Sequence, residues 1–215
     1  MSVTTDHLFC VLVPVIRPLV VGRLGAARRR YFDGLPASPG QVVLLGDSLT
    51  ERGRWADLLP ELRTANRGIG SESTSDVLER LHCGIVQPAA VSLLIGTNDL
   101  HGPRDQRASA GIAERTDEIV RRLREELPAA AVFLNSLTPR TPYFAGRIRA
   151  LNSDYRDIAE RRGATFVDLW PALADEDGGI RKEFTKDHLH LSAAGYRAWA
   201  DVLRPHLAPF RPQSG

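Results

Sequence analysis

The chain is 215 residues long and poor in several things: it has two cysteines, one methionine, 7% aromatic residues and almost no net charge. Each shortage excludes something. Cys10 and Cys83 form no CxxC pair and have no histidine or cysteine cluster around them, which excludes a zinc ribbon and a disulfide framework. Both read as small buried hydrophobes rather than nucleophiles, a usage that fits a reducing, cytoplasmic setting. With 28 Lys and Arg against 26 Asp and Glu, the formal charge is +2. No global field recruits nucleic acid, and the arginines are spread along the chain rather than gathered in a basic domain. The strongest apolar run, Leu8 to Val21, is broken by Pro14, Arg17 and Pro18 and falls short of a membrane span. Asp6 precedes it, no small-residue cleavage site follows it, and Arg28-Arg29-Arg30 lies on its C-terminal side. That order is not that of a secretory signal. The run reads as an extension packed on the domain surface. Peripheral membrane contact through an arginine-anchored interfacial helix, or a homodimer contact, is the sharper alternative. Internal repeats and low-complexity tracts are missing too.

What is present is the balance of a soluble globular protein, 43% apolar and 25% charged, of a length that suits one domain with a short extension. Residues 1–40 form the extension, ending in the turn-forming linker Pro36-Ala37-Ser38-Pro39-Gly40. Residues 41–208 form the domain, and residues 209–215 a frayed tail. Within the domain, short apolar runs alternate with amphipathic ones. Strands are expected at Val42–Leu45, Arg63–Asn66, Val91–Ile95, Ala131–Asn135 and Thr165–Asp168, apolar as buried parallel strands should be. Helices are expected at Arg52–Leu59, Ser73–His82, Gly111–Leu127, Phe144–Arg162 and Ser192–Leu207. Ile112, Ile119, Val120, Leu123 and Leu127 recur at helical spacing and define one buried face, while the charges between Glu114 and Glu126 read as a solvated one. Five βα repeats imply an α/β fold with a doubly wound parallel sheet and right-handed crossovers.

In such a sheet, residues just beyond the strands' carboxyl ends converge on one edge, where ligands bind. Asp47-Ser48, Arg67-Gly68-Ile69-Gly70-Ser71 and Gly96-Thr97-Asn98-Asp99 each follow a strand, and Asp187-His188-Leu189-His190 precedes the last helix. A serine hydroxyl needs a base to take its proton as it attacks, and the base needs a carboxylate to fix its tautomer. Ser48, His190 and Asp187 supply that set. The i,i+3 spacing favours His190 over His188 as partner of Asp187. Attack on a carbonyl also needs donors for the developing oxyanion. The Ser48 N–H at a helix start, the Gly68–Ser71 backbone and the Asn98 amide are candidates. Taken singly, each piece has a plainer reading. Gly96-Thr97-Asn98-Asp99 is ordinary turn chemistry, Asp187 could cap a helix, and the Gly-Ile-Gly loop could cradle phosphate. That loop, however, lacks a P-loop lysine and a full dinucleotide fingerprint.

The four blocks Gly46-Asp47-Ser48-Leu49, Asn66-Arg67-Gly68-Ile69-Gly70, Gly96-Thr97-Asn98-Asp99 and Asp187-His188-Leu189-His190-Leu191-Ser192 together resemble the SGNH (GDSL) hydrolases. Within that family they are most similar to the platelet-activating-factor acetylhydrolase-like and lysophospholipase-like bacterial members. The resemblance spans Val42 to Leu207. It implies a three-layer α/β/α sandwich with a five-stranded parallel sheet of flavodoxin-like type, and no metal or organic cofactor. It assigns Ser48 as nucleophile, Asn98 as oxyanion donor, and Asp187 and His190 as the rest of the triad. One position departs from it: Ser71 stands where the family usually has an oxyanion glycine. A serine N–H can donate equally well, but a positive φ there would strain it, with Gly70 as the fallback donor.

The remaining polar and aromatic residues receive plainer readings. Asp47 and Asp99 hold loops; Trp55, Trp170 and Trp199 pack; His82, His101 and His206 face solvent. Tyr143, Phe144 and Arg147 follow the fourth strand in a loop that lines the substrate pocket. The expected activity is that of a serine esterase forming an acyl-enzyme on a small-molecule ester, with an acetyl, short acyl or lysophospholipid-type group. A carbohydrate O-deacetylase or thioesterase of the same fold is the enzymatic alternative. A non-catalytic ligand binder on a flavodoxin-like fold is the alternative of another class.

Overall fold

The computed structural model describes residues 25–101 and 106–212; the apolar run with Cys10, and the membrane or dimer contact expected of it, lie outside the described residues. Five parallel strands, β1 (Val42–Gly46), β2 (Thr64–Gly68), β3 (Ala90–Leu94), β4 (Ala131–Asn135) and β5 (Thr165–Val167), form one sheet in the order β2-β1-β3-β4-β5. The register sets Gly46 opposite Gly68 on one side and Leu94 on the other, so the three strand ends finish level at one edge.

Period-two alternation divides the apolar residues of the strands between two cores. Val43, Leu45, Val91, Leu93, Val132 and Leu134 face one layer, made by α4 (Thr74–Glu79), α5 (Gln106–Glu126) and α6 (Pro142–Arg162). Val42, Leu44, Leu94 and Phe133 face the other, made by α2 (Ser48–Glu51), α3 (Trp55–Leu58), α7 (Trp170–Leu173) and α8 (Ala193–Leu207). The buried stripe of α5 is the expected one: Ile112, Ile119, Val120 and Leu123 are buried. Its outer face is laced by Arg121–Glu118 and Arg122–Glu126 pairs. Ser192 caps α8 by accepting from the Gly195 N–H.

Three expected elements change on folding. The helix expected at Arg52–Leu59 is two short turns, because the chain breaks at Gly53, whose backbone lies against the Trp55 ring where a Cβ would collide at 2.4 Å. The extension contributes α1 (Ala26–Gly34), anchored by the buried Phe32 ring under the guanidinium of Arg67. The tail is not frayed along its whole length: Phe210 packs edge-on against Phe133, and Arg211 lies 3.8 Å from Glu61.

Candidate active site

The sheet topology brings the four polar blocks together. Gly46 leads directly into Asp47, whose Oδ1 accepts from the Leu49 N–H at 2.9 Å and caps α2. Ser48 is thereby fixed as the first residue of a helical turn, where backbone N–H groups have no partner within the helix. Its Oγ lies 3.1 Å from His190 Nε2, and His190 Nδ1 lies 2.7 Å from Asp187 Oδ2. A carboxylate can only accept, so the Nδ1 proton points at Asp187 and Nε2 is left to accept the Ser48 hydroxyl proton. Asp187 is held by more than the imidazole: its Oδ1 also accepts from the backbone N–H of Leu189 and of His190. Burial works against its charge, but the His190 ring and these amides outweigh it and hold the carboxyl down to about 2. His188 has φ 61° and lines the same cavity. His190 is the histidine that reaches Ser48.

The second block forms the opposite wall. Gly68 passes so close to α2 that a Cβ would meet the Glu51 nitrogen at 2.2 Å, which is why this position takes no side chain. Asn66 bridges the two segments, donating from Nδ2 to the carbonyls of Thr50 and Glu51 and accepting the Gly68 N–H at Oδ1. Ser71 has φ 65°. The turn therefore does impose the positive φ that makes a non-glycine residue strained, by about 1–2 kcal/mol. A Cβ at Gly70 would lie 3.8 Å from Ser48 Cβ.

Asn98 Nδ2 donates to the Glu72 carbonyl at 2.8 Å. This aligns one amide proton with the backbone beside Ser71 and leaves the second for a ligand. Asp99 is a structural carboxylate, accepting from the Thr74 N–H and hydroxyl and pairing with Arg115 at 3.2 Å. Asp47 is structural as well. It is fully buried, and desolvation, aided by the nearby Asp99 and Glu72 carboxylates, pushes it up to about 7.

Behind the Ser71 turn sits a group the sequence reading missed. The Glu72 side chain is fully buried and is clamped by Arg80 Nε at 2.6 Å and Arg29 Nη2 at 3.1 Å. Arg80 also donates to the Gly46 and Arg67 carbonyls, and Arg28 to the Gly68 carbonyl. A charged residue next to the Ser71 turn was the only available signal, and nothing in the spacing tied it to Arg29. His101 and Arg140 were missed as well. His101 is buried, not solvent-facing: its Nδ1 lies 3.2 Å from the Asn98 carbonyl, and its Nε2 accepts from Arg140 at 3.0 Å. Both line the cavity. Their places just beyond β3 and β4 on the active edge were the clue.

The cavity holds about 330 Å³ and is walled by Ser48, Gly70, Ser71, Asn98, Arg140 and His190 among others. Thr141 is the last residue of its segment to reach it. Tyr143, Phe144 and Arg147 belong to α6 rather than to a loop. Phe144 is buried in the core under the Arg140 guanidinium at 4.1 Å, Tyr143 packs beside it, and Arg147 bonds the Leu100 carbonyl. Neither aromatic residue lines the cavity, because Pro142 starts the helix and turns that face inward. Trp55 and Trp199 are core residues stacked edge-on at 4.8 Å, and Cys83 is buried, which pushes its thiol up. Among the described residues no acidic or sulfur–nitrogen cluster could hold a metal, and no helix is long and apolar enough to cross a membrane.

Comparison with known proteins gives relatives in sequence and neighbours in fold. Platelet-activating factor acetylhydrolase IB subunit alpha1 of Bos taurus is 32% identical over 209 residues, covering 90% of this chain and 88% of that protein. The Homo sapiens protein is 30% identical over 187 residues, covering 81% and 78%. In fold, a GDSL-like lipase from Bacteroides thetaiotaomicron superposes with a TM-score of 0.70 at 21% identity, over 85% of this chain and 97% of that one. An acetyl xylan esterase superposes with a TM-score of 0.65 at 19% identity, over 78% and 99%. A model of the GDSL-like Lipase/Acylhydrolase family matches residues 44–198, the span that carries all four blocks, and the chain belongs to that family of ester-acting hydrolases.

Proposed function

We propose that the protein is a serine esterase that hydrolyses acetyl or other short-acyl esters through an acyl-enzyme. The observation that carries this reading is the unbroken chain of hydrogen bonds from Ser48 through His190 to Asp187. Ser48 Oγ attacks the carbonyl carbon while His190 Nε2 takes its proton, and Asp187 stabilises the imidazolium. The carbonyl oxygen, now an oxyanion, accepts from the Ser48 and Ser71 (or Gly70) N–H groups and the second proton of Asn98 Nδ2; one such donor is typically worth about 3 kcal/mol of barrier. His190 then gives its proton to the departing alcohol. Water, deprotonated by the same nitrogen, attacks the acyl carbon and restores Ser48.

The small cavity supports a short acyl group, and so do relatives named as acetylhydrolases. The phosphate-cradle alternative is disfavoured because the Gly68–Ser71 loop has no P-loop lysine and the arginines behind it, Arg28, Arg29 and Arg80, are already engaged by Glu51 and Glu72. Replacing Ser48 by Ala should lower kcat on p-nitrophenyl acetate by about 10⁴-fold or more, with the far-ultraviolet circular dichroism unchanged. Wild-type enzyme should show a burst of nitrophenol whenever deacylation is the slower step. Wild-type rates in Ser48→Ala would sink the mechanism.

A further inference from the structure

A second cavity of about 750 Å³ adjoins the first, and Arg52 lines both. Its position follows from the local fold. Arg52 is four residues beyond Ser48 and donates its N–H to the Ser48 carbonyl, so the two side chains stand one above the other on the same helical face. Leu191, adjacent to His190, and Tyr196 form part of the floor, and the Tyr196 hydroxyl is tied to the Leu49 carbonyl at 2.7 Å. Leu58 and Ala200 complete an apolar strip between α3 and α8.

The rim is cationic. Of its arginines, Arg54 is paired with Asp57 at 2.6 Å, and Arg204 with Glu61 and Asp201. Arg52 and Arg197 have exposed side chains and, among the described residues, no carboxylate partner. An apolar strip bordered by two uncompensated guanidinium groups is complementary to a chain that ends in an anion.

Direction decides which half of the ester enters. The oxyanion must face Ser71 and Asn98, whereas the leaving oxygen must face His190 Nε2 to receive its proton. Leu191, the residue after His190, lines the groove, whereas neither Ser71 nor Asn98 does, so the groove takes the alcohol. Resting on the esterase reading above, we propose that this groove is the alcohol subsite, and that the preferred alcohol is an aliphatic chain bearing a terminal phosphate or similar anion held by Arg52 and Arg197.

The test uses acetate esters of butyl, hexyl and octyl alcohols carrying a terminal phosphate, each compared with the same ester carrying a terminal hydroxyl. Wild-type enzyme should favour the phosphate esters in kcat/KM on the order of tenfold, as expected for two charge-assisted contacts at an exposed site. The preference should shrink as potassium chloride is raised, and should be largely lost in the Arg52→Gln/Arg197→Gln double variant. Equal rates on charged and uncharged esters, or a preference the double variant retains, would overturn the subsite. Hydrolysis of p-nitrophenyl acetate with none of either chain series would also overturn it while leaving the esterase reading intact. Failure on p-nitrophenyl acetate as well would remove that reading instead. Sedimentation gives the remaining outcome: a wild-type dimer that the double variant dissociates would assign the groove to a second copy of the chain and overturn the alcohol subsite.

Discussion

Two carboxylates on the active edge behave in opposite ways, and the difference lies in what surrounds each. Asp187 receives hydrogen bonds from the His190 ring and from the Leu189 and His190 amides and is held to about 2. Its ionised form therefore favours the folded state at all pH values above the ordinary carboxylate range, and that contribution is lost only as pH falls through about 2. An acid limb in kcat/KM above pH 4 consequently does not report Asp187. Asp187→Asn should cut kcat by about 10³–10⁴-fold by disordering the imidazole tautomer, as measured on p-nitrophenyl acetate. Asp47 receives one hydrogen bond, at Oδ1. Its Oδ2 is buried without a partner, and burial lifts the group to about 7. The native state thus binds a proton that the unfolded state releases near pH 4. Stability is full below that point and falls by a few kcal/mol as pH rises through about 7. Asp47→Asn retains the cap oxygen for Leu49. Urea unfolding between pH 5 and 8 should show that slope in the wild type and a flat profile in the variant; parallel profiles would refute the assignment.

The proposed oxyanion wall is an assembly of elements rather than a single loop. Helix α1 holds it from behind: Arg29 grips Glu72, Arg28 grips the Gly68 carbonyl, and the Glu72 carbonyl aligns Asn98. Arg29→Met should lower kcat by about tenfold with a smaller change in KM, since the contact braces the proposed oxyanion donors, and Arg29→Lys should restore part of the loss. Equal changes in kcat for Met and Lys would point away from positioning through charge. Sequence alone made the front of the candidate site legible, because Ser48, Asn98 and His190 are chemistry-bearing types at strand ends and before a helix. The back was hidden. The Arg29–Glu72 contact spans 43 residues, and nothing local in a run of arginines says which carboxylate will meet it. The same limit applies to Phe144. Placing it on the pocket put it at the open end of the helix expected from Phe144, whereas Pro142 starts that helix two residues earlier and helical phase turns the ring into the core. The burial of His101 is equally illegible, because one polar residue in a turn carries no periodic signal of burial.

For the whole molecule, the alternation of short apolar strands with amphipathic helices was sufficient to derive the parallel sheet and hence the edge where the site lies. Strand ends moved by a residue or two, two of the long helices kept their bounds to within two residues, and α5 begins at Gln106 rather than at the expected Gly111. The parts that were not legible depend on particular packing: the break at Gly53 against Trp55, the docking of α1, and the seating of Phe210 on Phe133. Trp199 ties the layers together. It is buried, stacks edge-on with Trp55, and donates to Asn135 Oδ1 at 3.3 Å. Asn135 Nδ2 in turn donates to the Leu93 carbonyl of the neighbouring strand. Trp199→Ala should therefore cost about 3–5 kcal/mol in urea unfolding, far more than an exposed substitution such as Arg54→Ala.

The account rests on an activated hydroxyl at the start of α2, and covalent labelling tests that directly. A fluorophosphonate should modify the native protein at one residue, mapped by peptide mass spectrometry to Ser48. The labelling rate should fall sharply in His190→Ala, where the base is gone. No adduct on catalytically competent protein, or an adduct at another serine with Ser48 untouched, would contradict it.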